Sequence, residues 1–373
     1  PDDGSNLIQN FPLITSVTYG DTTTTVAGKL DSAASTTFDL DFYRDEQCLS
    51  RPQEYPEGRE YLGSDQVTTD ASGIALFNVV LPVGIEEGSR VTATATDPDG
   101  NTSEFSQRMV ISISPASGPA AGGTTVTVNG FNFLSGAEVD FGGDAGTGED
   151  VAGYQQMTVS SPARPAGSVS GVTVTNTDGT SGTLPNGWVA DFLDVGPSNL
   201  FYQFVTTLVR NQITAGVGGG NYGVTQETLR QQMAVFLLKS KYGICYVPPP
   251  CAAQVFPDVP CSNIFAAWIN ELVAQGITGG CGGGNYCPTN PVNRQQMAVF
   301  LLKTLEGSGY TPPVCTVETF TDVPCDSPFA PWIYELVARN ITAGCGGGTT
   351  YCPLQSANRG QMATFLVKTF NLQ

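Results

Sequence analysis

Through much of the first half of the chain, apolar and polar residues alternate with a period of two. "TTFDLDFY" (36–43), "IALFNVVLP" (74–82) and "RVTATATDPDGNTSEFS" (90–106) read as strands broken by turn residues. In "DASG" (70–73) and "DPDG" (97–100), Asp caps its own backbone and Gly takes positive φ. Residues 10–112 are therefore expected to form one all-β unit, preceded by a lead-in over 1–9. A second β unit is expected over 113–192, from "ISPASGPAAGGTTVTVNGFNF" (113–133), "AEVDFGG" and "VSGVTVTNTDGTSG". There, Val126, Val128, Phe131 and Phe133 are expected on one inner face, with a bend at Gly130 allowing the register to change.

From residue 193 the period lengthens. Phe265, Trp268, Ile269, Leu272 and Val273 fall at i, i+3, i+4, i+7 and i+8, one apolar helix face. The set recurs 64 residues earlier (Phe201, Phe204, Val205, Leu208, Val209) and 64 later (Phe329, Trp332, Ile333, Leu336, Val337). Each set precedes a Gly-rich loop and a second helix, carrying Met233/Phe236/Leu237, Met297/Phe300/Leu301 or Met362/Phe365/Leu366. Three helix–loop–helix units are thus expected, over about 193–255, 256–319 and 320–373. One unit cannot bury its own face, so the three are expected to pack around a pseudo-threefold axis.

These patterns resemble known modules. Residues 10–112, above all 90–106, resemble the immunoglobulin-like modules of bacterial surface proteins, and "NLIQNFPLITSV" resembles the lead-in that follows another extracellular domain. Residues 113–192 resemble an IPT/TIG immunoglobulin-like domain through the run of Pro, Ser-Gly-Pro, Gly-Gly-Thr and Asn-Phe at 115–133. Residues 193–373 resemble S-layer homology repeats. The signs are "FLDV", "FPDV" and "FTDV" at 192, 256 and 320, then "ITAG", "ITGG" and "ITAG" at 213, 277 and 341. "TLRQQMAVFLLK", "VNRQQMAVFLLK" and "ANRGQMATFLVK" complete them. The implied fold is multidomain: two all-β immunoglobulin-like sandwiches followed by an all-α three-repeat helix–loop–helix domain.

Charge divides the chain the same way. Residues 1–192 hold 7 Lys/Arg against 25 Asp/Glu, and 193–373 hold 9 of each, giving the net −18. The acidic half repels nucleic acid and anionic lipid, and the favoured reading is that its acidity only keeps an extracellular protein soluble. The neutral half approaches an anionic polymer without that penalty. No apolar run is long enough for a membrane span, so no membrane insertion is expected. The chain opens on Pro1 without a signal-peptide pattern, as expected of a processed chain or a fragment.

With no His, Ser-His-Asp and Cys-His catalysis and His metal ligation are excluded, whereas carboxylate-pair chemistry is not. The repeats interpret eight of the 10 Cys by internal comparison. Cys281 and Cys287 align with Val217 and Gly223, and Cys251 and Cys261 with Gly187 and Pro197, so partners vanish together. Bonds Cys251–Cys261, Cys281–Cys287, Cys315–Cys325 and Cys345–Cys352 follow, each worth about 2–3 kcal/mol in the chain-entropy model. "CGGGNYCP" (281–288) lacks the spacing of a zinc or redox pair and the Gly-Lys-Ser/Thr of a phosphate loop. Disulfides imply an oxidising compartment outside the cytoplasm. Cys48 and Cys245 are left without an assigned pairing.

S-layer homology domains are known as wall anchors, binding secondary cell-wall polysaccharides, often pyruvylated, between repeats. The resemblance carries the motif Arg onto Arg230, Arg294 and Arg359, where a guanidinium fork suits a pyruvyl carboxylate. An equal alternative is a structural bond near each helix start, bracing loop carbonyls. The family's Glu is Gln232, Gln296 and Gln361 here, which removes an acidic partner. Asp194, Asp258 and Asp322 belong to the motif at the start of each repeat and read as glycan contacts or as turn caps. Trp268 and Trp332 suit sugar stacking or the core. Asp97, Asp99 and Asn101 present oxygens that suit calcium, but without the downstream Glu of an EF-hand a plain turn is the favoured reading.

The expected protein is non-catalytic, without cofactor, and sits at the cell surface or wall. Its repeats hold an anionic cell-wall polysaccharide while the β domains project outward. A second reading is a self-assembling subunit of an S-layer or filament, since sandwich edge strands and the segment 1–17 invite pairing with further copies. A third, the tail of an enzyme, finds no active-site residues in the chain.

Overall fold

A computed structural model describes residues 9–45, 58–85, 89–106, 109–345 and 347–373. Most of the lead-in (1–8) and Cys48 lie outside them. The chain divides into two compact units, a β-rich one ending at Ala190 and a helical one comprising Pro165–Ser168 and Asp191 onward.

The β-rich unit holds two layered cores. In the first, β1 (Leu13–Thr18), β2 (Thr24–Asp31) and β5 (Ile74–Leu81) form one antiparallel sheet. Strands β4 (Glu60–Thr68), β3 (Thr37–Asp45) and β6 (Arg90–Thr96) form the other. Val26, Leu30, Phe38, Leu40, Phe42, Phe77 and Leu81 point inward from alternate positions, as the period-two pattern requires. Both expected turns form. The Asp70 carboxylate accepts N–H groups from Ser72 (2.8 Å) and Ile74 (3.0 Å), and Gly73 has φ +86°. β6 ends at Thr96, earlier than the pattern suggested, because the Asp97 turn interrupts it.

The second core lies between a five-stranded and a four-stranded sheet. The first contains β8 (Ser117–Gly118), β10 (Glu138–Phe141), β11 (Asp144–Ala145), β14 (Val169–Thr175) and β15 (Ser181–Ala190). The second contains β7 (Val110–Ser114), β9 (Thr125–Gly130), β12 (Thr147–Gly153) and β13 (Gln156–Ser160). Trp188 is fully buried and meets Phe141 edge-on at 5.5 Å. Val126, Val128 and Phe133 are in this core, but Phe131 is not: β9 ends at Gly130, and Phe131 packs edge-on against Phe11 at 6.0 Å. The register shift lies on the partner strand, between Val110 and Ser112. Gly130 is needed there because a Cβ would sit 1.8 Å from the Met109 carbonyl oxygen.

The helical unit contains α1 (Tyr202–Arg210), α2 (Arg230–Tyr242), α3 (Ala266–Ala274), α4 (Arg294–Glu306), α5 (Ala330–Ala338) and α6 (Arg359–Phe370). The longer helices α2, α4 and α6 pack pairwise on one another, whereas α1 packs on α6, α3 on α2 and α5 on α4. Each short helix therefore leans on the long helix of the preceding repeat, and the last repeat closes onto the first. The buried stripe keeps Val205, Leu208 and Val209 of the expected face in α1 and is narrower in α3 and α5. In α3 it is Ala266, Ile269 and Leu272, with Phe265 at the N-cap and Trp268 at the half-buried rim.

Gly130→Ala is expected to destabilise the β-rich unit by ~1–3 kcal/mol, because the Met109 backbone must move. Urea unfolding of wild type and variant measures this; equal midpoints would contradict it.

Candidate functional site

The loop joining the two helices of each repeat is built around one carboxylate. Asp194 accepts the N–H groups of Tyr222 (2.7 Å), Gly223 (2.7 Å) and Val224 (3.1 Å). Asp258 takes those of Tyr286 (2.9 Å) and Cys287 (2.7 Å), and Asp322 those of Tyr351 (2.7 Å) and Cys352 (2.8 Å). All three are thus loop braces in this geometry, their oxygens occupied by backbone donors.

The braced tyrosines are buried and reach into the preceding repeat. The Tyr286 hydroxyl donates to the Arg230 carbonyl (2.9 Å), and Arg230 Nε returns a bond to the Tyr286 carbonyl (2.8 Å). Arg294 and Tyr351 exchange the same pair of bonds, at 2.7 and 2.9 Å. Arg359 and Tyr222, from the last and first repeats, close the ring at 2.9 and 3.4 Å. Each guanidinium also lies between two rings. The Arg230 guanidinium carbon is 4.8 Å from the Tyr286 centroid and 5.4 Å from Phe300. Arg294 lies between Tyr351 and Phe365, and Arg359 between Tyr222 and Phe236. The three arginines are only 2–3% exposed.

Each Arg is the first residue of its long helix, where backbone N–H groups lack partners within the helix. The next loop in the ring supplies them. Arg230 and Gln231 donate to the carbonyls of Asn290 and Pro288, Arg294 and Gln295 to those of Gln355 and Pro353. Arg359 and Gly360 donate to those of Gln226 and Val224. Just before the helices, Thr228 donates to Ala357 (3.0 Å), Ala357 to Val292 (2.8 Å) and Val292 to Thr228 (2.9 Å), a closed cycle of backbone bonds. The Gln side chains have a capping role: Gln232, Gln296 and Gln361 accept the N-cap N–H groups of Leu229, Asn293 and Asn358.

The three interfaces differ at one atom. Arg294 Nη2 donates to the Gly344 carbonyl (3.2 Å) and Arg359 Nη2 to Thr214 Oγ1 (3.1 Å). Arg230 Nη2 is buried and has no acceptor among the described residues. Burial lowers the pKa of all three guanidinium groups, opposed by the nearby Tyr and Asp. Burial pushes the Tyr222 hydroxyl up to about 12 and raises Tyr286 and Tyr351 as well.

The four inferred disulfides are present: Cys251–Cys261, Cys281–Cys287, Cys315–Cys325 and Cys345–Cys352. Cys245 is also disulfide-bonded. The bonds at 281–287 and 345–352 span the loops that present Tyr286 and Tyr351. The residue after each tyrosine is left-handed, Gly223 at φ +75°, Cys287 at +56° and Cys352 at +57°. Only the first repeat fills that position with Gly, the residue it favours.

Trp268 and Trp332 are half-buried and meet Tyr246 and Tyr310 edge-on. Asp97 spends both carboxylate oxygens on its own turn, on the N–H groups of Asp99 and Asn101 and the Asn101 amide. Asp99 and Asn101 thus share that turn. Among the described residues no cluster of three or more His, Cys, Asp or Glu is placed to hold a metal, and no helix is long and apolar enough to cross a membrane. The tyrosines are the residues that motif reading passed over. Their signal is positional: Tyr222, Tyr286 and Tyr351 each follow the glycine run and precede the left-handed residue.

Residues 109–187 match the family model of the IPT/TIG domain, and residues 256–298 that of the S-layer homology domain. The second match covers the middle repeat from Asp258 through Arg294, and the flanking repeats share its Asp–Tyr–Arg arrangement. No curated protein matches the chain. Among solved structures, one match is SGBP-B from a complex xyloglucan utilization locus in Bacteroides uniformis. It has 17% identity over 48% of this chain and 50% of that one, with a TM-score of 0.19. Another is the full extracellular region of plexin A4, at 15% identity over 48% of this chain and 16% of that one, with a TM-score of 0.18. The chain thus spans half of the first structure and less of the second, and neither likeness supports a statement about this fold or its function.

Two outcomes are expected of this geometry. Replacing Cys281 by Val and Cys287 by Gly, as in the first repeat, should cost less stability than Ser at both positions, by ~1 kcal/mol. Equal losses in denaturant unfolding would contradict this. The second outcome concerns alkali. The buried tyrosines have folded pKa values above the unfolded 10.0, so their contribution is complete below pH 10 and is lost as pH rises. Unfolding free energy should fall above pH 10 by ~1.4 kcal/mol per pH unit for each such tyrosine. Denaturant midpoints paired with tyrosinate absorbance test this; a flat profile to pH ~11.5 would refute it.

Proposed function

We propose that this chain, which carries an IPT/TIG domain and an S-layer homology domain, is a non-catalytic protein of the bacterial cell surface. Its helical repeats hold an anionic cell-wall polysaccharide, and its β domains face away from the wall. The S-layer homology domain itself indicates cell-surface anchoring, and the disulfides fit an extracellular setting.

The polymer's charge is inferred from the site. The observation that carries it is Arg230, whose Nη2 has no acceptor among the described residues, whereas the equivalent atoms of Arg294 and Arg359 are satisfied internally. A desolvated donor on a charged group is costly to leave unmade, and, the atom being buried, a ligand carboxylate would reach it only by displacing the chain that covers it. The neutral balance of residues 193–373 lets such a polymer approach. Helix N-termini do not compete for the anion, because their first N–H groups are spent on neighbouring loops. Arg294, Arg359 and the three Asp residues then support the site by holding the ring closed.

The test is sedimentation of the oxidised chain with purified wall polymer, comparing Arg→Lys variants, which keep the charge but lose the fork. Arg230→Lys is expected to weaken binding at least tenfold and, having one hydrogen bond fewer to lose, to be destabilised less than the other two variants. Arg294→Lys and Arg359→Lys are expected to lose stability first. Failure of the wild type to bind, or full binding by Arg230→Lys, would overturn the proposal.

A further inference from the structure

We propose that β5 is a homotypic docking edge, on which a second copy of this chain pairs its own β5 antiparallel to extend the sheet. The inference is independent of the glycan reading and concerns only the β-rich unit. Edge strands usually carry a device against such pairing: a charge, a bulge or a very short length. The other edges of the described sheets each have one. β1 and β7 have register shifts, at Ile14/Ser16 and Val110/Ser112. β4 carries Glu60 and Asp65, β6 begins at Arg90, and β12 carries Glu149 and Asp150. β8 and β11 are two residues long. β5 has none of these. It is eight residues, IALFNVVL, uncharged and unbulged, pairing in continuous register with β2 on one side and with no described strand on the other.

The backbone shows which groups are open. Ser32 N–H donates to the Gly73 carbonyl (2.9 Å) across the β2 side, and the Ile74 carbonyl accepts from Asp70 (2.9 Å) on the other. Hydrogen-bonding direction alternates along an antiparallel strand, so Leu76, Asn78 and Val80 turn their N–H and C=O groups to the open edge. The side chains of the same residues are solvent-facing, with Leu76 79% and Val80 63% exposed.

A second copy is the occupant that this strand fits. An antiparallel register centred on Asn78 sets Leu76 of each copy against Val80 of the other on the outer face. It also sets Phe77 against Val79 on the inner face, so both faces match apolar to apolar. The same register joins all three open backbone positions in about six hydrogen bonds. The paired β5 strands themselves carry no charge, although each copy carries a net −18. A two-strand junction is small, under about 1,200 Å². Weak association is therefore expected in solution, with a dissociation constant on the order of 10–1,000 μM. Screening the long-range repulsion should tighten it as salt rises.

Sedimentation velocity of the full oxidised chain up to millimolar concentration, in ~50 mM and ~500 mM salt, tests the proposal. The expected result is a monomer–dimer equilibrium, tighter at high salt and at least tenfold weaker in Val80→Lys. Position 80 is exposed, so the variant should keep the wild-type melting temperature. Asn78→Cys gives a second readout, since the register places the two substituted positions about 5.5 Å apart between Cα atoms, within disulfide range. Oxidation should give a covalent dimer, and Thr68→Cys, on a different edge, should not. A monomer under all conditions, a dimer insensitive to Val80→Lys, or absence of a cross-link in the Asn78→Cys variant would overturn the proposal and leave the edge to a different partner.

Discussion

The helical unit depends on one reciprocal contact made three times. An arginine at the start of a long helix and a tyrosine in the next repeat's loop exchange hydrogen bonds, and two aromatic rings enclose the guanidinium. Burying a guanidinium costs several kcal/mol unless it is paired. Here a carbonyl, two ring faces and a nearby carboxylate offset that cost, and cation–π contacts in a desolvated site are worth about 2 kcal/mol or more. Lysine would offer a point charge without the planar group that reaches the carbonyl while its carbon stays near two ring centroids. Since the third contact joins the last repeat to the first, the array is closed and has no free end to cap.

This constraint explains several features together. The Asp of each repeat is spent on the backbone of its own loop because the tyrosine must be held at a fixed height for the neighbouring arginine. The glycine run supplies the positive φ values that turn the chain back to that tyrosine. In the second and third repeats a disulfide spans the turn, and in the first a left-handed glycine serves. The stretch "CGGGNYCP" is thus a stapled support for Tyr286, and through it for Arg230. The symmetry fails at one buried atom: Arg230 Nη2 has no acceptor among the described residues, whereas the Nη2 atoms of Arg294 and Arg359 each have one.

Much of this was legible in the chain. The 64-residue recurrence located the helices, and the joint loss of aligned cysteines identified four bonded pairs, because covalent partners can only be dispensed with together. The turns at Asp70 and Asp97 were readable because Asp and Gly at those offsets have a mechanical role. Other elements were not. β4 buries little besides Leu62, so its sequence shows no alternation. Phe131 fitted the strand pattern, but the strand ends one residue earlier, where the Met109 backbone comes too close for a side chain. Motif matching marked the arginines without separating a ligand contact from a brace. That difference lies in the tyrosine of another repeat, 56 residues away in the case of Arg230.

The most direct test of the account is arginine side-chain NMR of the full chain, titrated with purified anionic wall polymer. The resonances of Arg230, Arg294 and Arg359 should be slow to exchange with solvent, as ring-enclosed groups are. On adding polymer, the Arg230 guanidinium signals should shift while those of Arg294 and Arg359 stay in place. Equal shifts of all three, or none at Arg230 when the polymer is bound, would contradict it.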